Sequence, residues 1–185
     1  MFDAIVLAGG RAERLGGADK PGIVIGGRTL LDRAIASAHG AVRVIVVGPQ
    51  RDTSSEVLWT RENPVGSGPV AAIAAGLELV DEAWCLVLAA DLPQIAPAVP
   101  LLLTAAAQVD VAVLTRNEAR NYLAAVWRVS SLRAAIDRLD TVEGAAARKL
   151  YIGVDVVEVA DEKGWGMDCD TWDDVRRAEH EASSR

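Results

Sequence analysis

Four glycines and three cations share one short stretch near the N-terminus, Gly9-Gly10-Arg11-Ala12-Glu13-Arg14-Leu15-Gly16-Gly17-Ala18-Asp19-Lys20. Glycine lets a backbone approach a ligand closely and turn its amides inward, which suits phosphate oxygens. A guanidinium grips phosphate through two hydrogen bonds, and an ammonium acts as a point charge. The chemistry this permits is the binding of a phosphorylated ligand. Two familiar phosphate loops do not fit. GxxxxGK[ST] needs Lys directly after Gly and then a hydroxyl, but here the order is Gly17-Ala18-Asp19-Lys20-Pro21, and GxGxxG is absent. The chain has three lysines against sixteen arginines, so a lysine kept in this loop is notable. A solvated surface loop is the bland alternative; this order of residues favours the phosphate site.

Asp91 follows the apolar run Trp84-Cys85-Leu86-Val87-Leu88-Ala89-Ala90 and precedes Leu92-Pro93. A buried strand there delivers a hard oxygen ligand of the kind Mg²⁺ takes, since that ion holds few protein carboxylates and shares itself with phosphates. An Asp capping the turn before Pro93 is the other reading. With the cationic loop, Asp91 makes a set for nucleotidyl transfer: the cations and Mg²⁺ neutralise a triphosphate as it splits, and the protein mainly positions the reactants. Asp168-Cys169-Asp170-Thr171 offers two more acids before a helix. They serve either as caps favoured by the helix dipole or as metal ligands, with Asp170 ahead of Asp168 for the metal.

Other candidates carry weaker signals. Asn63-Pro64-Val65-Gly66-Ser67-Gly68-Pro69 is a turn that leads into a helix. It lines a base pocket, with the Asn63 amide on a base edge, or it is an ordinary loop. Arg116, Arg120 and Asn121 cluster between two strands, and Arg148-Lys149 end a helix. Either group binds an anionic second substrate or forms a solvated face. Cys85 and Cys169 read as structural, and His39 and His180 receive no catalytic role.

These residues must be positioned by alternating strands and helices. Apolar runs predict strands at 3–8, 43–47, 56–60, 84–89, 110–114, 123–127 and 154–159. Helical spacing covers 30–38, with Thr29 as N-cap and Gly40 as the stop. Further helices are expected at 70–80, 97–107, 132–139, 142–150 and 172–181, the last capped by Thr171. This alternation predicts an α/β fold with a mainly parallel sheet and helices on both faces. Ligands in such folds sit at the carboxyl ends of the strands.

Composition agrees. At 185 residues the chain is the size of one domain, and 51% apolar with 24% charged residues is globular. The net charge of −7 opposes nucleic-acid or anionic-membrane partners, which need a basic footprint. The longest wholly apolar run, about residues 83–90, is far short of a membrane span, and no basic leader precedes it, so the cytoplasm is expected. No CxxC or HExxH spacing suggests zinc.

The string LAGGRAERLGGADK resembles the nucleotide loop of molybdenum cofactor guanylyltransferases, LAGG-xxx-R-xGG-x-DK. The likeness continues in order along the chain. Gly68-Pro69 is similar to that family's GPL segment, and Ala90-Asp91-Leu92-Pro93 to its CD-x-P metal motif, with Ala90 in place of Cys. Residues 120–126 resemble the strand facing the pterin, and Ala147-Arg148-Lys149 resembles a basic helix element. Asp168-Cys169-Asp170-Thr171 matches its N-x-N-T or D-x-D-T element.

The resemblance implies one three-layer Rossmann-like nucleotidyltransferase domain over residues 1–182, with 183–185 a frayed tail. It implies transfer of GMP from Mg-GTP to the terminal phosphate of molybdopterin, with release of pyrophosphate. On that basis the nucleotide meets Leu7, Ala8, Gly9, Gly10, Lys20, Asn63 and Asp91. Arg14, Lys20 and Asp91 are the catalytic set, and Asp91 with Asp170 holds Mg²⁺. Asn121, Arg148, Lys149 and Asp168 face the second substrate. The partners would be GTP and molybdopterin, with transient contact to enzymes that make or accept the cofactor. Asn63 falls where the family often has an Asp beside guanine, and an amide cannot accept two N–H bonds as a carboxylate can. A cytidylyltransferase for the same cofactor is the nearest rival, but its loop usually reads LAAG. Sugar-phosphate nucleotidyltransferases are normally longer. A non-catalytic nucleotide- or pterin-binding module is opposed by the intact Arg14, Lys20 and Asp91.

Overall fold

The computed structural model describes residues 1–9 and 19–183. Its main sheet is built on β1 (Asp3–Leu7), a strand buried along its whole length. β1 lies between β4 (Val44–Val47) and β6 (Trp84–Ala89), parallel to both, so Val6 faces Val46 on one side and Leu88 on the other. Two short strands, β2 (Val24–Ile25) and β3 (Arg28–Thr29), form a separate hairpin. β5 (Leu58–Thr60) extends the sheet beyond β4. On the other side β8 (Ala119–Arg128) joins β6, followed by β7 (Val111–Arg116) and β9 (Val156–Ala160), giving the order β5-β4-β1-β6-β8-β7-β9.

Every strand of this sheet is parallel except β8, which is antiparallel to both neighbours. The reversal comes from a two-residue turn, Asn117-Glu118, with φ of 49° and 64° at its two positions. Positive φ at both central residues is the hairpin geometry that matches strand twist.

The alternation along β1 sorts the helices. Ile5 and Leu7 face α2 (Pro69–Leu77) and α4 (Val129–Asp137), through Val70, Ile73, Leu77 and Leu132. Val6 packs with Leu31 and Ile35 of α1 (Leu30–Ser37), and Ala4 shares a cluster with Val99 and Leu102 of α3 (Val99–Ala106). Helices thus cover both faces, as the near-continuous apolar strands require. α5 (Trp172–Ser183) packs on the β2/β3 hairpin, where Val175 and Ala178 meet Ile25 and Leu30. The expected caps form. Thr29 Oγ1 accepts from the Asp32 amide at 3.0 Å. Thr171 and Asp174 bond reciprocally: the Thr171 amide donates to Asp174 Oδ2 at 2.9 Å, and the Asp174 amide to Thr171 Oγ1 at 3.3 Å.

Three local expectations change. The β2/β3 hairpin is additional. The helix expected over 142–150 is reduced to a 3₁₀ turn, Ala147–Tyr151, because Gly144 at φ 67° breaks the run. The expected 97–107 helix divides into a 3₁₀ turn, Ala96–Ala98, and α3. Of the tail expected to fray, Ser183 closes α5, and 184–185 lie outside the described residues.

α2 approaches the sheet through Gly76. A Cβ there would stand 2.8 Å from Ile5 Cγ2 and 3.0 Å from Val47 Cγ2, both on buried strands that cannot retreat. Alanine improves helix propensity by about 1 kcal/mol, but overpacking a full core costs roughly 1–3 kcal/mol. Gly76→Ala is therefore expected to lower the unfolding free energy by about 1 kcal/mol net in urea titrations. A more stable variant would contradict this packing.

Candidate active site

The parallel strands β1 and β6 end side by side, with Leu7 opposite Ala89 and the Ala90 amide donating to the Leu7 carbonyl at 3.0 Å. Gly9 and Asp91 therefore leave the same carboxyl edge together. Lys20 returns to that edge in a 3₁₀ turn, Lys20–Gly22. Its Nζ donates to Asp91 Oδ2 and, at 2.6 Å, to Asp170 Oδ1. The Cys169 amide donates to the Asp91 carbonyl at 3.1 Å, which ties the segment before α5 to the end of β6. One ammonium thus joins three distant chain segments.

Burial alone would lower the Lys20 pKa. The charge of Asp91, and the hydrogen bonds to Asp170 and Asp91, outweigh it and hold the ammonium above its ordinary value. Partial burial, then the charges of Asp170 and Asp91, push the Asp168 carboxyl up. Burial, helped by Asp91, pushes the Cys169 thiol up to about 12. That thiol stays protonated near neutrality and is no nucleophile. Burial likewise raises Cys85.

Two cavities open on this edge. One, of about 420 Å³, is lined by Leu7, Gly9, Lys20, Glu62, Gly68 and Asp91. The other, of about 500 Å³, is lined by Arg116, Arg120, Asn121, Arg148, Asp161 and Asp168. Leu123 lines both. Each is of a size that holds a small ligand. The second cavity exists because β8 runs backwards: its first residues, not its last, lie at the carboxyl edge. They leave β7's regular register between Val113 and Leu114, so that Val113 pairs with Ala125 and Leu114 with Asn121. Residues 122–124 form the bulge that carries Leu123 to the wall.

The structure distributes the expected residues as follows. Leu7, Gly9, Lys20 and Asp91 line the first cavity; Ala8 is buried behind it. Asp170 is joined to the group through Lys20. Gly10, Arg11 and Arg14 lie outside the described residues. Asn63 is exposed and off the cavity wall, which Glu62 lines instead. The Gly66 amide donates to Glu62 Oε1 at 2.9 Å and folds the turn back on that carboxylate. Asn121, Arg148 and Asp168 line the second cavity, whereas Lys149 is exposed outside both. The Asn121 amide is already engaged: Nδ2 donates to the Gly166 carbonyl at 3.1 Å, and Oδ1 accepts from the Leu123 amide at 3.2 Å. Arg120 pairs with Glu158 at 2.7 Å. Glu62 was legible in principle, being the second residue past a strand parallel to β4 and so bound for the active edge.

The two carboxylates that meet on Lys20 fit Mg²⁺. They are hard oxygen donors converging on one cationic centre, the donor type that ion takes. Among the described residues no group of three or more His, Cys, Asp or Glu side chains forms a metal cage.

The family model for the MobA-like NTP transferase domain matches residues 4–155. The chain belongs to that family. Its resemblance to molybdenum cofactor guanylyltransferases extends over most of the sequence: the enzyme of that name from Acidiphilium cryptum is 32% identical over 95% of this chain and 93% of its own. Solved structures share the fold. A nucleotidyl transferase from Methanothermobacter thermautotroptrophicus superposes with a TM-score of 0.80 at 20% identity, covering 100% of this chain and 98% of that one. Molybdopterin-guanine dinucleotide biosynthesis protein A from Archaeoglobus fulgidus gives 0.72 at 21% identity, covering 99% and 100%. This member of the MobA-like family is a nucleotidyltransferase of Rossmann-like α/β fold.

In a MobA-like transferase the first cavity is the place to test nucleotide contacts. Asn63→Ala is expected to leave nucleoside triphosphate affinity within about twofold, because its side chain does not reach the wall. Glu62→Ala removes a polar group from that wall and is expected to weaken binding about tenfold. Isothermal titration with GTP and Mg²⁺ checks both, and the reverse ranking would restore Asn63.

Proposed function

We propose that this chain transfers GMP from Mg-GTP to the terminal phosphate of molybdopterin, forming the guanine dinucleotide cofactor and releasing pyrophosphate. The observation that carries the proposal is the meeting of Lys20, Asp91 and Asp170 at the edge where a nucleotide-sized cavity and a second cavity share the Leu123 wall. The name of the Acidiphilium relative supports the choice of base and acceptor.

In this reading the triphosphate lies in the first cavity, against the backbone at 7–9. Lys20 holds the phosphates. Arg14 and Gly10 are assigned to them from the resemblance alone. The Glu62 carboxylate is suited to accept two N–H bonds from a guanine edge, in the role first expected beside Asn63. The second cavity takes the pterin, with Arg148 near its phosphate. Asp91 and Asp170 would hold Mg²⁺, which when bound supplies Lewis-acid charge neutralisation on the phosphates. A phosphate oxygen of the acceptor attacks the α-phosphorus. The bond between the α-phosphorus and the bridging oxygen breaks, and pyrophosphate carries away the electron pair. No covalent enzyme intermediate is required, and protonated Cys169 is not positioned as one. We assign the reaction to residues 1–182 acting as one unit, and to the cytoplasm.

The test incubates purified protein with molybdopterin, Mg²⁺ and each of GTP, CTP, ATP and UTP, following the adduct by mass spectrometry. A GMP adduct is expected, falling about a hundredfold or more in rate in Lys20→Ala and Asp91→Ala. A CMP adduct would keep the mechanism and overturn the base assignment at Glu62. Folded protein that gives no adduct with any nucleotide would overturn the acceptor.

A further inference from the structure

We infer that Arg51 is a positioning residue for Lys20, clamping together the two stems of the Gly-rich segment; this rests on the nucleotide-binding reading of Lys20. Arg51 follows β4 in the loop that begins Gly48-Pro49-Gln50. Its Nε donates to both carboxylate oxygens of Asp19, at 3.1 and 3.0 Å, and its Nη2 donates to Asp19 Oδ1 at 2.5 Å. Its Nη1 donates to the Pro49 carbonyl at 2.7 Å and to the Ala8 carbonyl at 3.3 Å. Ala8 stands just before residues 10–18, and Asp19 just after them. One guanidinium therefore grips both ends of that segment and braces itself on its own loop.

The geometry is unlike an ordinary surface ion pair, which contributes little. The Arg51 side chain is 19% exposed although that of its partner Asp19 is 57% exposed. The planar fork meets the carboxylate along its Nε/Nη2 edge, and backbone carbonyls occupy the remaining arm, Nη1. Asp19 is fixed from its other side too. Its carbonyl accepts from the Gly22 amide at 2.9 Å, and a Cβ at Gly22 would stand 2.7 Å from Asp19 Oδ2. Asp19 immediately precedes Lys20, so holding Asp19 sets where the Lys20 ammonium can reach. The clamp also cancels a carboxylate charge beside the proposed phosphate site. Among the described residues, the hydrogen-bond partners of the Arg51 guanidinium are Asp19, Ala8 and Pro49.

The test is a double-mutant cycle on binding. Isothermal titration with each of the four nucleoside triphosphates and Mg²⁺ is run on the full chain, on Arg51→Ala, Arg51→Lys and Lys20→Ala, and on Lys20→Ala with Arg51→Ala. Urea unfolding is followed in parallel. Arg51→Ala is expected to weaken binding about tenfold when Lys20 is present, and by less than about twofold when Lys20 is absent. Arg51→Lys keeps the charge without the fork and is expected to recover only part of the loss. A loss undiminished in the Lys20→Ala background would mean that Arg51 only braces the fold, and would overturn the inference. So would wild-type affinity in Arg51→Ala or Arg51→Lys. If Arg51→Ala does not fold, Arg51→Lys, alone and with Lys20→Ala, completes the cycle. Wild-type protein that binds no triphosphate would overturn the nucleotide reading and Arg51's role with it. Wild-type binding without an effect at Arg51 overturns Arg51's role alone.

Discussion

A single ammonium between two carboxylates holds this site together. Asp91 and Asp170 both lie within hydrogen-bonding reach of Lys20 Nζ. Two unit negative charges about 4 Å apart repel by about 4 kcal/mol at an effective dielectric near 20. That is a sizeable fraction of the 5–15 kcal/mol that separates a typical folded domain from its unfolded chain. Lys20 turns the repulsion into two attractions. The remaining parts of the site can be read as devices that bring this cation and these anions to one point. β6 delivers Asp91, the Cys169 amide ties residue 170 to the end of β6, and the 3₁₀ turn after Asp19 returns Lys20 to the edge.

The reversed strand explains why one edge of the sheet carries two cavities rather than one. In an all-parallel sheet only strand ends face the ligand side. Because β8 is antiparallel, its beginning faces that side, beside the end of β7. Arg116 and Arg120, on either side of the turn, therefore reach the same cavity. The bulge then takes Leu123 out of the ladder and into the wall between the two cavities. The sheet edge gains its second cavity through one tight turn and one irregularity.

The buried elements were legible because their patterns are strong. Residues 4–8 and 84–89 are continuous apolar runs, and a strand buried on both faces has no other reading once helices flank it. The helices of 30–38 and 172–181 carried both periodicity and caps. What escaped the sequence depends on local geometry or on long reach. Strands of two residues, β2 and β3, are too short for any period to register. Gly144 lies inside a helical pattern, and its positive φ is set by the turn rather than by the pattern. Asn63 and Glu62 are adjacent, and only the fold of the turn decides which lines the cavity. Arg51 meets Asp19 across 32 residues, a contact made by one long side chain that leaves no periodic trace.

The structure gives Asp168 and Asp170 different neighbours. Cys169 is 1% exposed and packs with Ile25, Leu30, Val175 and Ala178 beneath α5. Asp168 and Asp170 flank that buried residue. They then part by position along the chain. Asp170 stands beside the Thr171 cap of α5 and reaches Lys20, while Asp168, farther out, lines the second cavity. The two acids read first as rivals for one role occupy adjoining places, on either side of the buried Cys169.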